Sequence, residues 1–229
     1  MKNIIIIPAY NESGNIENTI KDIKQNSKGF DYIIVNDCST DNTLEICREN
    51  HFNYLNLPIN LGIGGAVQAG YRYAYYHGYD TAVQFDGDGQ HDASYLSALL
   101  EVLEKDEADM AIGSRFIENE GFQSSAMRRM GIKFFTRLIK ILTGKRITDP
   151  TSGMRMVNRK LIKEFTFSYP KDYPEPESVV TVMCSGYRAK EVPVKMRSRS
   201  EGESSISMRK SVYYMIKVSM AIIIARICK

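Results

Sequence analysis

Over its first 114 residues the chain alternates short apolar runs with stretches of helical periodicity, and this alternation limits the fold more than any other feature. The runs are Asn3–Ile7, Tyr32–Val35, Tyr54–Leu57, Thr81–Phe85 and Asp109–Ile112. Between them, Ile16, Ile20 and Ile23 recur at helical spacing, and helices are expected over Thr40–Asn50, from Gly62 to about His77, and over Ala93–Lys105. Strands and helices in this rhythm predict right-handed βαβ crossovers, hence an α/β fold with a mostly parallel sheet flanked by helices. After residue 114 the rhythm gives way to a basic, helix-rich stretch, a strand over Tyr187–Val194 and a C-terminal helix. The length of 229 residues suits one domain, expected over 1–205, with 206–229 as a C-terminal amphipathic or apolar helix for membrane or partner contact.

A hydrophobic content of 43% and a charged content of 25% exclude a disordered or low-complexity chain. Cys38, Cys47, Cys184 and Cys228 show no CxxC-type spacing, so neither a zinc knuckle nor a disulfide framework is indicated. The opening MKNIIIIPAYNE is too short an apolar stretch for a signal peptide, and no segment approaches the ~20 apolar residues of a spanning helix. A cytoplasmic protein is the expectation. Charge is divided unevenly: residues 1–127 hold 8 Lys/Arg against 19 Asp/Glu, and residues 128–229 hold 22 against 8. From Arg128 to Lys163 there are 11 basic residues and a single acid, Asp149, interspersed with Met130, Ile132, Phe134, Phe135, Leu138 and Ile139. A basic helix with so large an apolar share suits a membrane interface with anionic headgroups. Nucleic acid is disfavoured, because no stacking aromatics are interleaved and no binding motif is present.

Ligands of open α/β sheets bind beyond the carboxyl ends of the strands, and polar residues follow each run here. Pro8-Ala9-Tyr10-Asn11-Glu12 follows the first, Asn36-Asp37 the second, Asn60 to Gly65 the third, Asp86-Gly87-Asp88-Gly89-Gln90-His91 the fourth and Gly113-Ser114-Arg115 the fifth. Asp86 and Asp88, two apart around Gly87, can address one small volume while a ligand approaches the backbone. Hard oxygen donors of this kind suit Mg²⁺ or Mn²⁺ held partly through a nucleotide's phosphates. Tyr10 can stack on a base, and Glu12 and Asp37 can accept hydrogen bonds from a nucleoside. Gly62-Ile63-Gly64-Gly65 fails the GxGxxG pattern at Val67 and follows the third strand, so a dinucleotide site is disfavoured and a tight helix entry expected.

PAYNE after a strand, VNDCSTDNT, NLGIGGAVQAGY, QFDGDGQHD, AIGSRF, DPTSGMR and Arg199 before GESS stand in this order. Together they resemble the inverting family-2 glycosyltransferases of GT-A fold, and within them the subgroup that transfers sugars to polyprenyl phosphate. The resemblance spans roughly residues 3–205. It implies a Rossmann-like GT-A sheet, with Pro8, Tyr10, Glu12, Val35 and Asp37 as the nucleoside pocket and Asp86, Asp88 and Gln90 around the metal and diphosphate. Gly87 lies between these carboxylates on the donor side. By the same resemblance, Arg115 helps bind phosphate, Arg128 or Arg129 together with Arg199 meets the lipid phosphate, and Asp149 orients or deprotonates the acceptor. Glu177 matches the family's helix-start carboxylate. Two places depart from the family: Asn36 stands where many members carry the first Asp of a pair, and the Tyr173–Glu177 wording is uncommon.

The activity implied is metal-dependent, inverting transfer of a hexose from a nucleoside-diphosphate sugar, a UDP-sugar ahead of GDP-mannose, to a polyprenyl phosphate. It would serve cell-wall or surface glycan synthesis at the inner face of the membrane, with a small integral-membrane partner or a second copy as companion. Another glycan or lipid acceptor is the alternative. A nucleotidyltransferase ranks lower, since no Lys-bearing Gly-rich loop follows the first strand. A non-catalytic membrane partner ranks last, since both DxD carboxylates are present.

Overall fold

Four consecutive isoleucines, Ile4 to Ile7, are fully buried in strand β1 (Asn3–Ala9), so the strand must be covered on both faces. Side chains alternate along a strand, and the two faces part accordingly. Ile5 and Ile7 pack with Ile16, Ile20 and Ile23 of α1 (Ile16–Asn26), Cys47 of α2 (Thr43–Glu49), and Leu96 and Leu99 of α4 (Leu96–Glu104). Ile4 and Ile6 pack with residues of α3 (Gly62–Tyr76), α5 (Ala126–Thr143), α6 (Arg159–Phe167), α7 (Pro174–Cys184) and α8 (Met208–Ile227). The computed structural model describes residues 1–118, 126–197 and 208–227, with side chains of α5 and α8 described from Arg129 and Tyr213.

β1 pairs in parallel with β2 (Phe30–Asn36) and β4 (Thr81–Gln84), and β2 with β3 (Tyr54–Asn56). β5 (Met110–Ser114) pairs in parallel with β7 (Ala189–Pro193). Between the two parallel groups lies β6 (Arg155–Asn158), antiparallel to both β4 and β5, giving a seven-stranded sheet of order β3-β2-β1-β4-β6-β5-β7. The α/β, mostly parallel architecture expected from sequence is therefore present. β6 is the element that the sequence reading missed, because its two apolar residues, Met156 and Val157, follow a buried arginine and run straight into α6. Its insertion sets the carboxyl end of β5 apart from that of β4.

Gly70 shows how closely α3 lies on the sheet: a Cβ there would come 2.2 Å from a methyl carbon of Ile6. On α5, Ile132, Phe135 and Ile139 point inward, while Met130, Lys133, Phe134, Arg137, Lys140 and Ile141 are exposed. α8 packs on α7 and α5 and buries Val218 and Ile222 in the common core. It turns Ile216, Met220, Ile223, Ile224 and Ile227 outward. Among the described residues no helix is long and apolar enough to cross a membrane. The expected junction at residues 205 and 206 lies outside the described residues.

Candidate active site

A cavity of about 400 Å³ opens at the carboxyl ends of β1, β2 and β4. Pro8, Ala9, Tyr10 and Glu12 line it from the end of β1, and Asp37 from the end of β2. The start of α3 contributes Gly62, Ile63 and Ala66, next to Asn60. Asp86, Gly87 and Asp88 close the wall beyond β4, and Glu175 enters from α7.

The two loops at the first strand ends are tied together by side chains. Asn11, at φ 58°, accepts from the Thr40 N–H at 2.8 Å, and the Ser39 hydroxyl accepts from the Asn11 N–H at 3.0 Å. Buried Asn36 donates to the Asn56 amide oxygen at 2.6 Å and accepts from the Ser39 hydroxyl at 2.5 Å. An amide serves both roles, which an ionised aspartate at this position cannot. Asp37, 3% exposed, accepts from the Leu61 N–H at 2.7 Å, and its carbonyl accepts from the Asn60 amide at 3.1 Å. Gly62, at φ +73°, turns the chain into α3, and a Cβ on Gly64 would lie 2.2 Å from the Pro170 carbonyl oxygen. These glycines serve a tight helix entry, as expected.

Two side chains hold Asp86 in the cavity wall. The Gln84 amide donates to its Oδ1 at 3.2 Å, and His91 Nε2 lies 3.2 Å from Oδ2. A Cβ on Gly153 would sit 2.1 Å from that Oδ2, so only glycine leaves it room. Burial works to raise the Asp86 pKa, but the His91 contact, the Gln84 amide and the Arg155 cation outweigh it, and the carboxyl titrates below its ordinary range. Asp88 is buried and accepts from the Gln90 N–H at 3.1 Å. Glu175 stands opposite in its effect. Burial pushes it up, the Arg155 guanidinium pulls it back, and the negative charge of Asp86 adds to the rise.

Six of the expected site residues do not line this cavity. Val35 is fully buried in the apolar core and is not part of the cavity lining. Gln90 is likewise outside the lining; its carbonyl accepts from the Arg197 N–H at 2.9 Å. Arg115 and Asp149 form a buried bidentate pair at 2.6 and 2.7 Å, with Thr151 Oγ1 accepting from the same guanidinium at 3.0 Å. Arg115 follows β5 and Asp149 lies in the segment that leads into β6, and neither lines this cavity. Glu177 is half-buried on α7, its pKa raised by burial and by Asp172, and it too lies outside the lining. Arg129 is exposed on α5, whereas the side chain of Arg128 and all of Arg199 lie outside the described residues. The residues missed from sequence are Glu175 and, behind the wall, Arg155. The Pro174 that starts α7 was the one local signal for Glu175.

Among the described residues no cluster of three or more His, Cys, Asp or Glu is set to cage a metal. The donor set suits a different arrangement. Two carboxylates on one wall of an open cavity fit Mg²⁺ or Mn²⁺, ions that complete their coordination with phosphate oxygens and water.

Comparison with known proteins agrees with this geometry. The family model described as Glycosyl transferase family 2 matches residues 4–166. A UDP-N-acetylglucosamine–dolichyl-phosphate N-acetylglucosaminyltransferase of Methanococcus voltae is 31% identical over 180 residues, 69% of this chain and 70% of that protein. An undecaprenyl-phosphate mannosyltransferase of Micrococcus luteus is 29% identical over 216 residues, 90% of this chain and 88% of its own. Among solved structures, glucosyl-3-phosphoglycerate synthase from Mycobacterium tuberculosis, in complex with Mn²⁺, UDP-glucose and phosphoglyceric acid, superposes with a TM-score of 0.73 at 16% identity. That match covers 98% of this chain and 79% of the other, and it shows a shared GT-A fold. The match runs through β1, the Asp86-Gly87-Asp88 wall and β6, so every strand that builds the cavity falls within it, and the chain belongs to glycosyl transferase family 2 as a glycosyltransferase.

Proposed function

We propose that this glycosyltransferase moves a hexose from a nucleoside-diphosphate sugar to a polyprenyl phosphate, with inversion and with Mg²⁺ or Mn²⁺. The observation that carries the donor half is the placing of Asp86 and Asp88 on the same cavity as Tyr10 and Asp37. Tyr10, half-exposed at the rim, offers its ring to the base, and the Asp37 and Asn60 pair faces the nucleoside. Asp86 and Asp88 would hold the divalent cation, whose charge would offset that developing on the departing diphosphate. A UDP-sugar is the donor expected first, supported by the name of the M. voltae relative and by the UDP-glucose in the M. tuberculosis structure.

The acceptor half rests on the names of both relatives and on surface chemistry. A phosphate monoester has a second pKa of ~6 and is largely dianionic near neutral pH, so it needs cations to place it more than a base to activate it. Arg129, Lys133, Arg137 and Lys140 are exposed on α5, and Ile216, Met220, Ile223 and Ile227 are exposed on α8, surface chemistry suited to an anionic membrane. Arg128 or Arg129 together with Arg199 is assigned to the lipid phosphate as before. The cytoplasmic leaflet is the side on which nucleotide sugar is at hand. Incubation with labelled UDP-sugars and GDP-mannose, each with undecaprenyl phosphate or a soluble glycan, tests donor and acceptor together. Label in an organic-soluble, acid-labile product supports the proposal, and label only in the glycan overturns its acceptor half.

A further inference from the structure

Arg155 is 2% exposed, and its acceptors cluster around the cavity wall. It stands on β6 directly opposite Gln84 of β4, so the two side chains share a face of the sheet. One terminal nitrogen donates to the Gln84 amide oxygen at 2.8 Å, and the Gln84 amide nitrogen donates onward to Asp86 at 3.2 Å. The other terminal nitrogen reaches the carbonyls of Pro174 at 3.1 Å and Glu175 at 3.0 Å and the Ser178 hydroxyl at 2.5 Å. These three acceptors belong to the first turn or so of α7, the turn that carries Glu175 into the cavity. A 3.9 Å ion pair joins the guanidinium to the Glu175 carboxylate itself.

We propose that Arg155 is a positioning residue that fixes the Asp86 carboxylate, through Gln84, and the Glu175 carboxylate, through the start of α7, where both line the donor cavity. The inference rests on the glycosyltransferase reading above and deepens it. A guanidinium has donors on two edges and can serve both at once, while an ammonium is a point charge that can satisfy one. Buried charges are costly to desolvate, and apolar residues can often replace a whole buried ion pair without loss of stability. Retaining Arg155 here is accounted for by the two cavity carboxylates it serves, Glu175 directly and Asp86 through Gln84. The antiparallel β6 is what makes the bridge geometrically available, since it brings Arg155 beside Gln84 and under the start of α7 in one step.

The test uses the whole chain with Gln84→Met, Arg155→Lys and Glu175→Gln, and reads UDP binding by calorimetry with and without Mn²⁺, together with kcat and KM. Gln84→Met keeps both charges and the side-chain volume but cuts the link to Asp86. It is expected to weaken Mn²⁺-dependent UDP binding by ~10-fold, the lower range for partners that orient metal ligands, and to leave metal-free UDP binding unchanged. Arg155→Lys should lower kcat by about 10-fold or more beyond its effect on KM, and Glu175→Gln should lower kcat with metal-dependent binding intact. If Arg155→Lys fails to fold, Gln84→Met decides alone. Wild-type binding and kcat in folded Gln84→Met would overturn the role of Arg155 while leaving the glycosyltransferase reading standing. Absence of any metal-dependent nucleotide binding by the wild-type chain, with UDP or GDP, would overturn both.

Discussion

Arg115 and Asp149 hold each other by two hydrogen bonds, Nε to Oδ2 at 2.6 Å and Nη2 to Oδ1 at 2.7 Å, with both side chains buried. The Arg115 N–H adds a third at 3.2 Å, and the Asp149 N–H donates to Glu191 at 2.8 Å. This arrangement welds the end of β5 to the segment entering β6 and to β7. The sequence resemblance gives Arg115 to phosphate and Asp149 to the acceptor; in this structure the two are held together as a buried ion pair.

Breaking this pair from one side should be worse than removing it whole. Asp149→Leu or Arg115→Met alone leaves a buried charge without its counter-ion and is expected to cost about 3–5 kcal/mol in urea unfolding. The double variant should recover much of that loss, giving a large coupling energy in a double-mutant cycle. Additive losses would count against a closed pair.

Asp86→Asn or Asp88→Asn should lower kcat by at least about 100-fold and remove the Mn²⁺-dependent part of a nucleotide thermal shift, since charge stabilisation at a departing group is worth several kcal/mol. His91→Ala should be milder, because His91 lies 3.2 Å from Asp86 but is not part of the cavity lining. Equal, small losses in all three would remove the metal assignment from this wall.

Stability should fall with acid through Asp41 and Asp109. Burial works to raise each of these carboxyls, but hydrogen bonds from Thr43 and Ser13 to Asp41, and from Arg188 and Asn158 to Asp109, hold both below the ordinary range. A carboxyl depressed in the folded state contributes stability above its unfolded pKa of about 3.9, and that contribution is lost as pH falls through the lower folded pKa. The urea midpoint should therefore hold from pH 7 to about 5 and drop steeply below 4. Asp41→Asn should start lower at pH 7 and show a shallower acid slope.

How much of this was legible in the sequence follows from the range over which each feature is determined. Ile4–Ile7 and the periodic Ile16, Ile20 and Ile23 are local patterns, and they gave β1, α1 and the parallel core directly. The Asp86-Gly87-Asp88 wall and the cavity residues Tyr10 and Asp37, proposed for the nucleoside, follow from the rule that parallel strands present their carboxyl ends to a ligand. Glu175 and Glu177 could not be phased in the same way. Two residues apart on a helix they differ by roughly 200° in direction, so one enters the cavity and the other leaves it, and only the placement of α7 on the sheet decides which. β6 was hidden for a related reason, since a four-residue strand with one buried arginine has no period to read.

Membrane contact should be electrostatic and local. Reversing Lys133, Arg137 and Lys140 to Glu should weaken sedimentation with anionic vesicles by more than the ~1 kcal/mol per cation expected from neutralising them, and high salt should mimic the change. Binding to neutral vesicles should stay low throughout. Unchanged binding to anionic vesicles would move the contact away from α5.

The central claim is that the cavity takes a nucleoside-diphosphate sugar through a divalent cation and passes its sugar to a polyprenyl phosphate. The most direct measurement is transfer of radiolabel from UDP-sugars and GDP-mannose into the organic phase with undecaprenyl phosphate, run with Mn²⁺, with chelator, and with Asp88→Asn. The account predicts label in the lipid from one nucleotide class, strongest from a UDP-sugar, and background levels in both controls. Transfer that persists in chelator or in Asp88→Asn, or folded protein that binds nucleotide with Mn²⁺ yet labels no polyprenyl phosphate from any donor, would contradict it.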